Sequence, residues 1–303
     1  MYVIYKLDDF VCLESTSQHQ IMANHVKSLY YEADMLRSFE RWEDLIMYRD
    51  MCQKRSRNSG IFEEVLPDNQ PLRDSEPELA AFKAYKSYIR DQNNIMNQHL
   101  DSRYLTTLFQ ACPHLDTVNM RIHHQPPDNS KASRNAFRDA LVRPPGDHDA
   151  LLFQVGCDQL EALCRAIHNA GRTLKHFSAS EIGWDFLDPR WAVPKDRAQL
   201  VDVFRPLQYL RLRFRGLNPE AFESRAFGQS VEEEILEESD EALNRGTLRN
   251  LLSATEDLRV LKLRMPPNDF FFGLDLRDKK RTAFVKLDTL AGFKPGASCN
   301  VWL

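Results

Sequence analysis

Several marks of catalysis and of membrane insertion are missing from this 303-residue sequence. No stretch approaches the roughly 20 apolar residues that a bilayer-spanning helix needs, so we expect no membrane partner. The sequence has no Gly-rich phosphate loop, no G-x-S-x-G and no H-E-x-x-H, and its six cysteines include no C-x-x-C pair. We therefore predict a protein that is not an enzyme and holds no cofactor and no metal.

An excess of charge of one sign is also lacking. The chain carries 40 Lys and Arg against 44 Asp and Glu, a formal net charge of -4. This balance weighs against nucleic acid as a partner, and any electrostatic recognition must be local. The scattered cysteines predict buried thiols in a reducing compartment, and so an intracellular protein, cytoplasmic or nuclear.

What the chain does have is a recurring segment. Residues 105–120 read LTTLFQACPHLDTVNM, and shifting them by 143 positions onto LRNLLSATEDLRVLKL makes seven apolar positions coincide without a gap. A third copy starts at Leu200, and a fourth starts at Leu160 with a turn four residues longer that contains Gly171. Repetition of this kind indicates a repeat architecture.

Each copy predicts a helix, a turn and a strand. Apolar residues at i, i+3 and i+4 form one helical stripe, and the later L-x-x-L-x-L places two apolar residues on one strand face. One unit alone cannot bury both surfaces, so the strands should stack as a parallel sheet with the helices on its outer side. The predicted continuous core contains Leu115, Val118, Leu174, Phe177, Leu207, Leu210, Leu212, Leu258, Leu261 and Leu263.

The predicted fold class is therefore α/β, an irregular leucine-rich-repeat solenoid over residues 101–303 that follows a mostly helical N-terminal region over residues 1–100. Successive strand leucines lie 59, 33 and 51 residues apart, whereas regular repeats run about 20 to 29. The extra length predicts loop insertions at residues 123–135, 143–149 and 218–241, which are rich in Pro, Gly, Ser and charge.

The N-terminal region is predicted from helical patterns. The opening MYVIYKLDDFVCLE should enter a helix with almost no lead-in, and residues 19–36 predict a helix turning into a strand. Residues 38–55 predict a helix capped by Ser38, and residues 75–112 predict one long or broken helical region. Both chain ends have the pattern of a cut boundary.

The segment HVKSLYYEA, the Trp-containing helix and the later LFQACPHLDTVNM are together similar to fungal F-box proteins with leucine-rich repeats, in the part after the F-box. The resemblance implies a ubiquitin ligase adaptor whose F-box binds the Skp adaptor and whose repeats bind a protein substrate. The F-box itself is absent from this sequence. We therefore expect the chain alone not to bind the Skp adaptor.

Two polar groupings offer alternative sites. Cys112 and His114 could ligate a metal with the His123–His124 pair, but their equivalents in the second copy are Thr255 and Asp257, which favours a turn. The GDHDA segment at residues 146–150 could hold acid–base chemistry, although its neighbouring prolines favour a loop. The alternative function is a hydrolase with its site in the long insertions.

The predicted binding surface is the concave face of the sheet, where residues alternate with the buried ones. A partner there should be a protein substrate, and the basic second half of the row predicts an acidic one. An acidic run at residues 231–242 lies between the two basic units, and we hypothesise that it covers them until the partner displaces it. The candidate residues are Asn119, Arg121, Ser178, Ser180, Arg211, Arg213, Lys262 and Arg264.

Overall fold

The structure is a computed structural model, and it describes residues 1–33, 35–36, 38–41, 44, 76–122, 156–183, 186, 194–214, 247–264 and 298–302. The three predicted insertions, the acidic run and the GDHDA segment lie outside the described residues. The predicted helix over residues 38–55 also lies almost entirely outside them.

Within the described residues, seven strands form one parallel sheet in which every strand lies beside the strands that precede and follow it along the chain. Each described pairing is parallel, so the chain crosses back over the sheet between every two strands. The strands are β1 (Tyr2–Ile4), β2 (Ser28–Glu32), β3 (Thr117–Arg121), β4 (His176–Ile182), β5 (Tyr209–Phe214), β6 (Val260–Arg264) and β7 (Ser298–Trp302). This confirms the predicted α/β class with a parallel sheet.

The described helices lie between successive strands from β1 to β6, and they contact one another in the same sequential order as the strands. They are α1 (Leu7–Gln18), α2 (Gln20–His25), α3 (Glu76–Asn97), α4 (Leu100–Ala111), α5 (Cys157–Asn169), α6 (Pro194–Phe204) and α7 (Thr247–Ser253). The predicted long helical region is broken between α3 and α4, where His99 adopts a positive φ of 50°. Strand β1 was not predicted.

The predicted repeat units share one pattern of backbone hydrogen bonds where each strand begins. The Asp116 carbonyl accepts from the amides of Lys175 and His176, at 2.9 and 3.1 Å. The Lys175 carbonyl accepts from two amides of the following unit, and the Gln208 carbonyl does the same for the unit after that. Because the pattern recurs at each step, successive units stack with the same backbone geometry.

One hydrophobic core runs from Val3 to Leu263 and contains all ten residues predicted for it. On the central strands the inward-facing positions are fully buried, since Val118, Phe177, Leu210 and Leu261 are each 0% exposed.

Three cysteines, Cys112, Cys157 and Cys164, are free and buried as predicted, whereas Cys12 is exposed and so departs from the prediction.

Helix α3 carries a smaller cluster of its own. Leu36, Tyr85 and Ile89 form it, and Phe39 packs against it. The Tyr85 hydroxyl accepts a hydrogen bond of 2.8 Å from the Phe39 amide, and the Lys86 ammonium donates to the Phe39 carbonyl at 2.7 Å. These bonds tie the segment after β2 to α3.

Candidate functional site

The sheet face opposite the buried core residues is polar across its central strands. Cα register places Asn119 beside Ser178, Ser178 beside Arg211, and Arg211 beside Lys262. A second row runs parallel to the first, with Arg121 beside Ser180, which lies beside Arg213. We call these the first and second polar rows, and the sheet surface that carries them the polar face.

All eight predicted binding residues fall on these two rows, four on each, on strands β3 to β6. Arg121 and Arg211 are exposed, and Asn119, Ser178, Ser180, Arg213 and Lys262 are partly buried. Arg264 is the register partner of Arg213, although its side chain lies outside the described part of the chain. The structure therefore brings together the residues that the repeat alignment placed at equivalent positions.

Positive charge is concentrated where β5 and β6 pair. Arg211 and Lys262 are Cα partners, as are Arg213 and Arg264, and adjacent strands lie only about 4.8 Å apart. Neither strand carries a carboxylate, since their sequences are YLRLRF and VLKLR. Like charges at this spacing raise the electrostatic potential of the surface, and an anionic group placed over them lowers that repulsion.

A third polar row lies at the strand starts and was missed by the sequence analysis. Thr117, His176 and Tyr209 are register partners on β3, β4 and β5. The His176 and Tyr209 rings lie 5.9 Å apart, and the Lys262 ammonium lies 5.5 Å from the centre of the Tyr209 ring. Counting the alternation two residues back from Asn119, Ser178 and Arg211 would have found this row.

Hydrogen bonds fix the start of that row. The Thr117 hydroxyl donates to the Asp116 carboxylate at 3.0 Å and lies 3.5 Å from Nδ1 of His176. The Lys175 ammonium pairs with the other Asp116 oxygen at 3.1 Å.

These contacts set the charge state of Asp116. Partial burial acts to raise the pKa of its carboxyl, but the hydrogen bonds from Lys175 and Thr117 and the nearby charges of Lys175 and His176 outweigh that and lower it. Asp116 therefore stays ionised and neutralises Lys175. The ion pair with Asp116 therefore balances the charge of Lys175 within the fold.

The Cys112–His114 turn has the geometry of a structural turn. The Leu115 amide donates to the Cys112 carbonyl at 3.2 Å, and the equivalent bond in the third copy joins Leu207 to Phe204. Cys112 is fully buried, and burial raises the pKa of its thiol, whereas His114 is exposed. In the described ranges no group of three or more His, Cys, Asp or Glu residues is placed to hold a metal ion.

Over the same described ranges, no helix combines the length and the apolar character that crossing a membrane requires. Comparison with family models, with curated proteins and with solved structures gives no match to this chain.

Proposed function

We propose that the chain is a non-catalytic protein-interaction scaffold of the leucine-rich-repeat type, and that its polar face binds an acidic segment of a partner protein. Under this proposal the chain corresponds to the substrate-binding part of an F-box adaptor of a ubiquitin ligase. The recurring helix–turn–strand units and their shared backbone hydrogen bonds support the repeat architecture.

The observation that carries the proposal is the pairing of cations across β5 and β6. Arg211 with Lys262, and Arg213 with Arg264, occupy matching positions on neighbouring strands of one face. An extended acidic segment lying across the strands along the first polar row would meet Arg211 and then Lys262. Arg can also bind a carboxylate through two parallel hydrogen bonds, which adds geometric selectivity.

The affinity of such an interface is limited because its ion pairs are exposed to solvent. Each exposed ion pair contributes about 0.2–1 kcal/mol and is screened by salt. Binding should therefore be weak for a short peptide, depend on several cations together, and decline as ionic strength rises.

The test is fluorescence anisotropy with a labelled ten-residue peptide rich in Glu and a matched peptide in which Gln replaces Glu. We expect the Glu peptide to bind at 50 mM NaCl, to bind weakly at 300 mM, and to lose about fivefold in affinity in the double variant Arg211→Ser/Lys262→Ser. The control is Lys83→Ser/Arg90→Ser, which also removes one Lys and one Arg, but from exposed positions of α3. Equal losses in the two double variants, or equal binding of the two peptides, would refute the proposal.

A further inference from the structure

The polar face carries two chemically different regions. At the β1–β2 end, Tyr2 and Tyr30 are Cα partners and continue the first polar row. They are 43% and 42% exposed, which is high for large side chains in a sheet with a continuous core. Single exposed apolar residues are ordinary on protein surfaces, but two neighbours in one row form a small aromatic platform.

The middle of the row is uncharged. From Tyr30 the register passes through Asn119 and Ser178 before it reaches Arg211. On the second row, Glu32 is the register partner of Arg121, so the first cation of that row lies next to a carboxylate position. From β2 to β6 the first polar row therefore runs from aromatic through uncharged polar to basic residues, and on β7 it continues with Asn300 beside Lys262.

We propose that the partner segment carries an apolar residue four to six positions away from its acidic residues, and that it lies extended across the strands with the apolar residue on the tyrosines. The inference rests on the proposed function, because it assigns the sequence pattern of the segment that the same face would bind. Beyond acidic residues, the partner segment is thus assigned an apolar residue at a defined distance from them and a second contact site on the face, the two tyrosines.

The spacing follows from the dimensions of the sheet. Tyr30 on β2 and Arg211 on β5 are three strands apart, about 14 Å, and Lys262 is one strand further, about 19 Å. An extended peptide advances about 3.3 Å per residue, so these distances correspond to about four and six residues. The side chains of Asn119 and Ser178 offer hydrogen bonds to a peptide backbone crossing between the two anchors.

The two anchors should respond differently to solution conditions. Contact with the tyrosines buries apolar surface and is insensitive to moderate salt, whereas contact with Arg211 and Lys262 is screened. Removing the tyrosines should therefore weaken binding by a similar factor at low and at high salt. Removing Arg211 and Lys262 should weaken binding mainly at low salt.

The experiment uses three labelled peptides in which one Phe and two consecutive Glu are separated by one, four or ten prolines. A proline spacer is semi-rigid and rises about 3.1 Å per residue, so the four-proline peptide spans the distance from Tyr30 to Arg211. We expect it to bind about fivefold more tightly than the one-proline and ten-proline peptides in anisotropy titrations of the full chain.

Two variants assign the anchors. Tyr30→Thr keeps a good strand-forming residue and should abolish the preference for the four-proline spacer while leaving the salt dependence intact, and Tyr30→Phe should retain the preference. The control is Ile21→Ser, which removes an apolar side chain 69% exposed on α2. Circular dichroism and thermal unfolding of each variant establish that the fold is retained.

The outcomes separate this inference from the proposed function. If all three peptides bind equally with a salt dependence that Arg211→Ser/Lys262→Ser removes, the acidic-partner proposal stands and the spacing inference is wrong. If no peptide binds, both are wrong. If Tyr30→Thr instead abolishes a concentration-dependent self-association and leaves peptide binding unchanged, the tyrosines contact a second copy of the chain and the inference is again wrong.

Discussion

At the scale of single residues, a buried carboxyl in the first turn of α4 has a cost that depends on pH. Asp101 is 5% exposed, and the Tyr5 hydroxyl donates to its Oδ2 at 3.4 Å. Burial raises the pKa of Asp101 from 3.8, because the hydrogen bonds from the Ser102 amide and the Tyr5 hydroxyl only partly offset the loss of hydration. The buried charge also raises the pKa of Tyr5 and of Tyr31, after the larger effect of their own burial.

The sign of the resulting pH dependence follows from proton binding. The folded-state pKa of Asp101 lies above its unfolded value, so the folded state holds this proton more tightly. The contribution of Asp101 to the free energy of unfolding is therefore fully present below about pH 3.8 and is lost as pH rises through the folded-state pKa. Above the folded-state pKa the ionised carboxylate opposes folding.

We predict that Asp101→Asn raises the free energy of unfolding at pH 7, because no charge is buried, the amide oxygen can still accept from the Ser102 amide, and the amide NH2 can donate to the Tyr5 hydroxyl oxygen. Urea unfolding followed by circular dichroism at several pH values between 3.5 and 7 should show a flatter profile for the variant. Glu14→Gln, at an exposed position of α1, is the matched control and should leave the profile unchanged. A lower free energy of unfolding for Asp101→Asn at pH 7 would show that the hydrogen bonds outweigh the cost of burial.

At the scale of elements, α5 is bounded by two glycines that adopt positive φ for different reasons. Gly171 has a φ of 63° and ends the helix in a Schellman motif, with its own amide donating to His168 and the Arg172 amide donating to Ile167. Gly156 has a φ of 77° and precedes the helix, where an added Cβ would lie 1.7 Å from Cδ1 of Ile122. At Gly171 an added Cβ would meet nothing within 4 Å.

We predict that Gly171→Ala costs about 1–2 kcal/mol, the penalty for the left-handed conformation alone. Gly156→Ala should cost about 1–3 kcal/mol more, because it adds a clash in the core to the same backbone penalty. A double-mutant cycle tests the clash, because Ile122→Ala removes the atoms that the added Cβ would meet. In chemical unfolding, Gly156→Ala/Ile122→Ala should therefore lose less free energy of unfolding than the sum of the losses in the two single variants. Strict additivity would contradict the clash.

Also at this scale, the elements that were predicted are those whose pattern recurs. Helix α4 with β3 and helix α7 with β6 share a fixed apolar spacing, so each copy supports the other. Strand β1 has only three residues, which are too few for local periodicity to reveal it. Pairing with β2 is what defines it as a strand.

The candidate site was predicted where alternation could be counted from a recognised repeat. Arg211 and Lys262 were placed as equivalents by their distance from buried leucines, and the register confirms it. Tyr30 and His176 were missed because the count began at the inward residues and did not extend to β2 or back to the strand starts. Because the distances between strand leucines are irregular, the repeat length alone does not identify these two positions either.

At the scale of the whole molecule, contacts follow chain order. The described strands pair only with the strands next to them in sequence, and α1, α4, α5, α6 and α7 pack against one another in the same succession. The core is continuous, yet every part of it is held by its immediate neighbours. In an array of this kind, the free energy of unfolding is approximately a sum of unit terms and nearest-neighbour terms, so damage should weaken with distance along the sheet.

This arrangement predicts how a defect spreads. Leu261→Asp places a carboxylate at a position that is 0% exposed on β6, which should cost about 3–5 kcal/mol of unfolding free energy. Native-state hydrogen exchange should then accelerate in α7, β6 and β5, while α1, β1 and β2 keep most of their protection. Lys262→Asp introduces the same side chain one residue further along on the polar face, where it should change the free energy of unfolding by no more than about 0.5 kcal/mol. Equal acceleration at both ends of the sheet in Leu261→Asp would mean that the units unfold together, and that the coupling carried by the continuous core exceeds the stability of any unit within it.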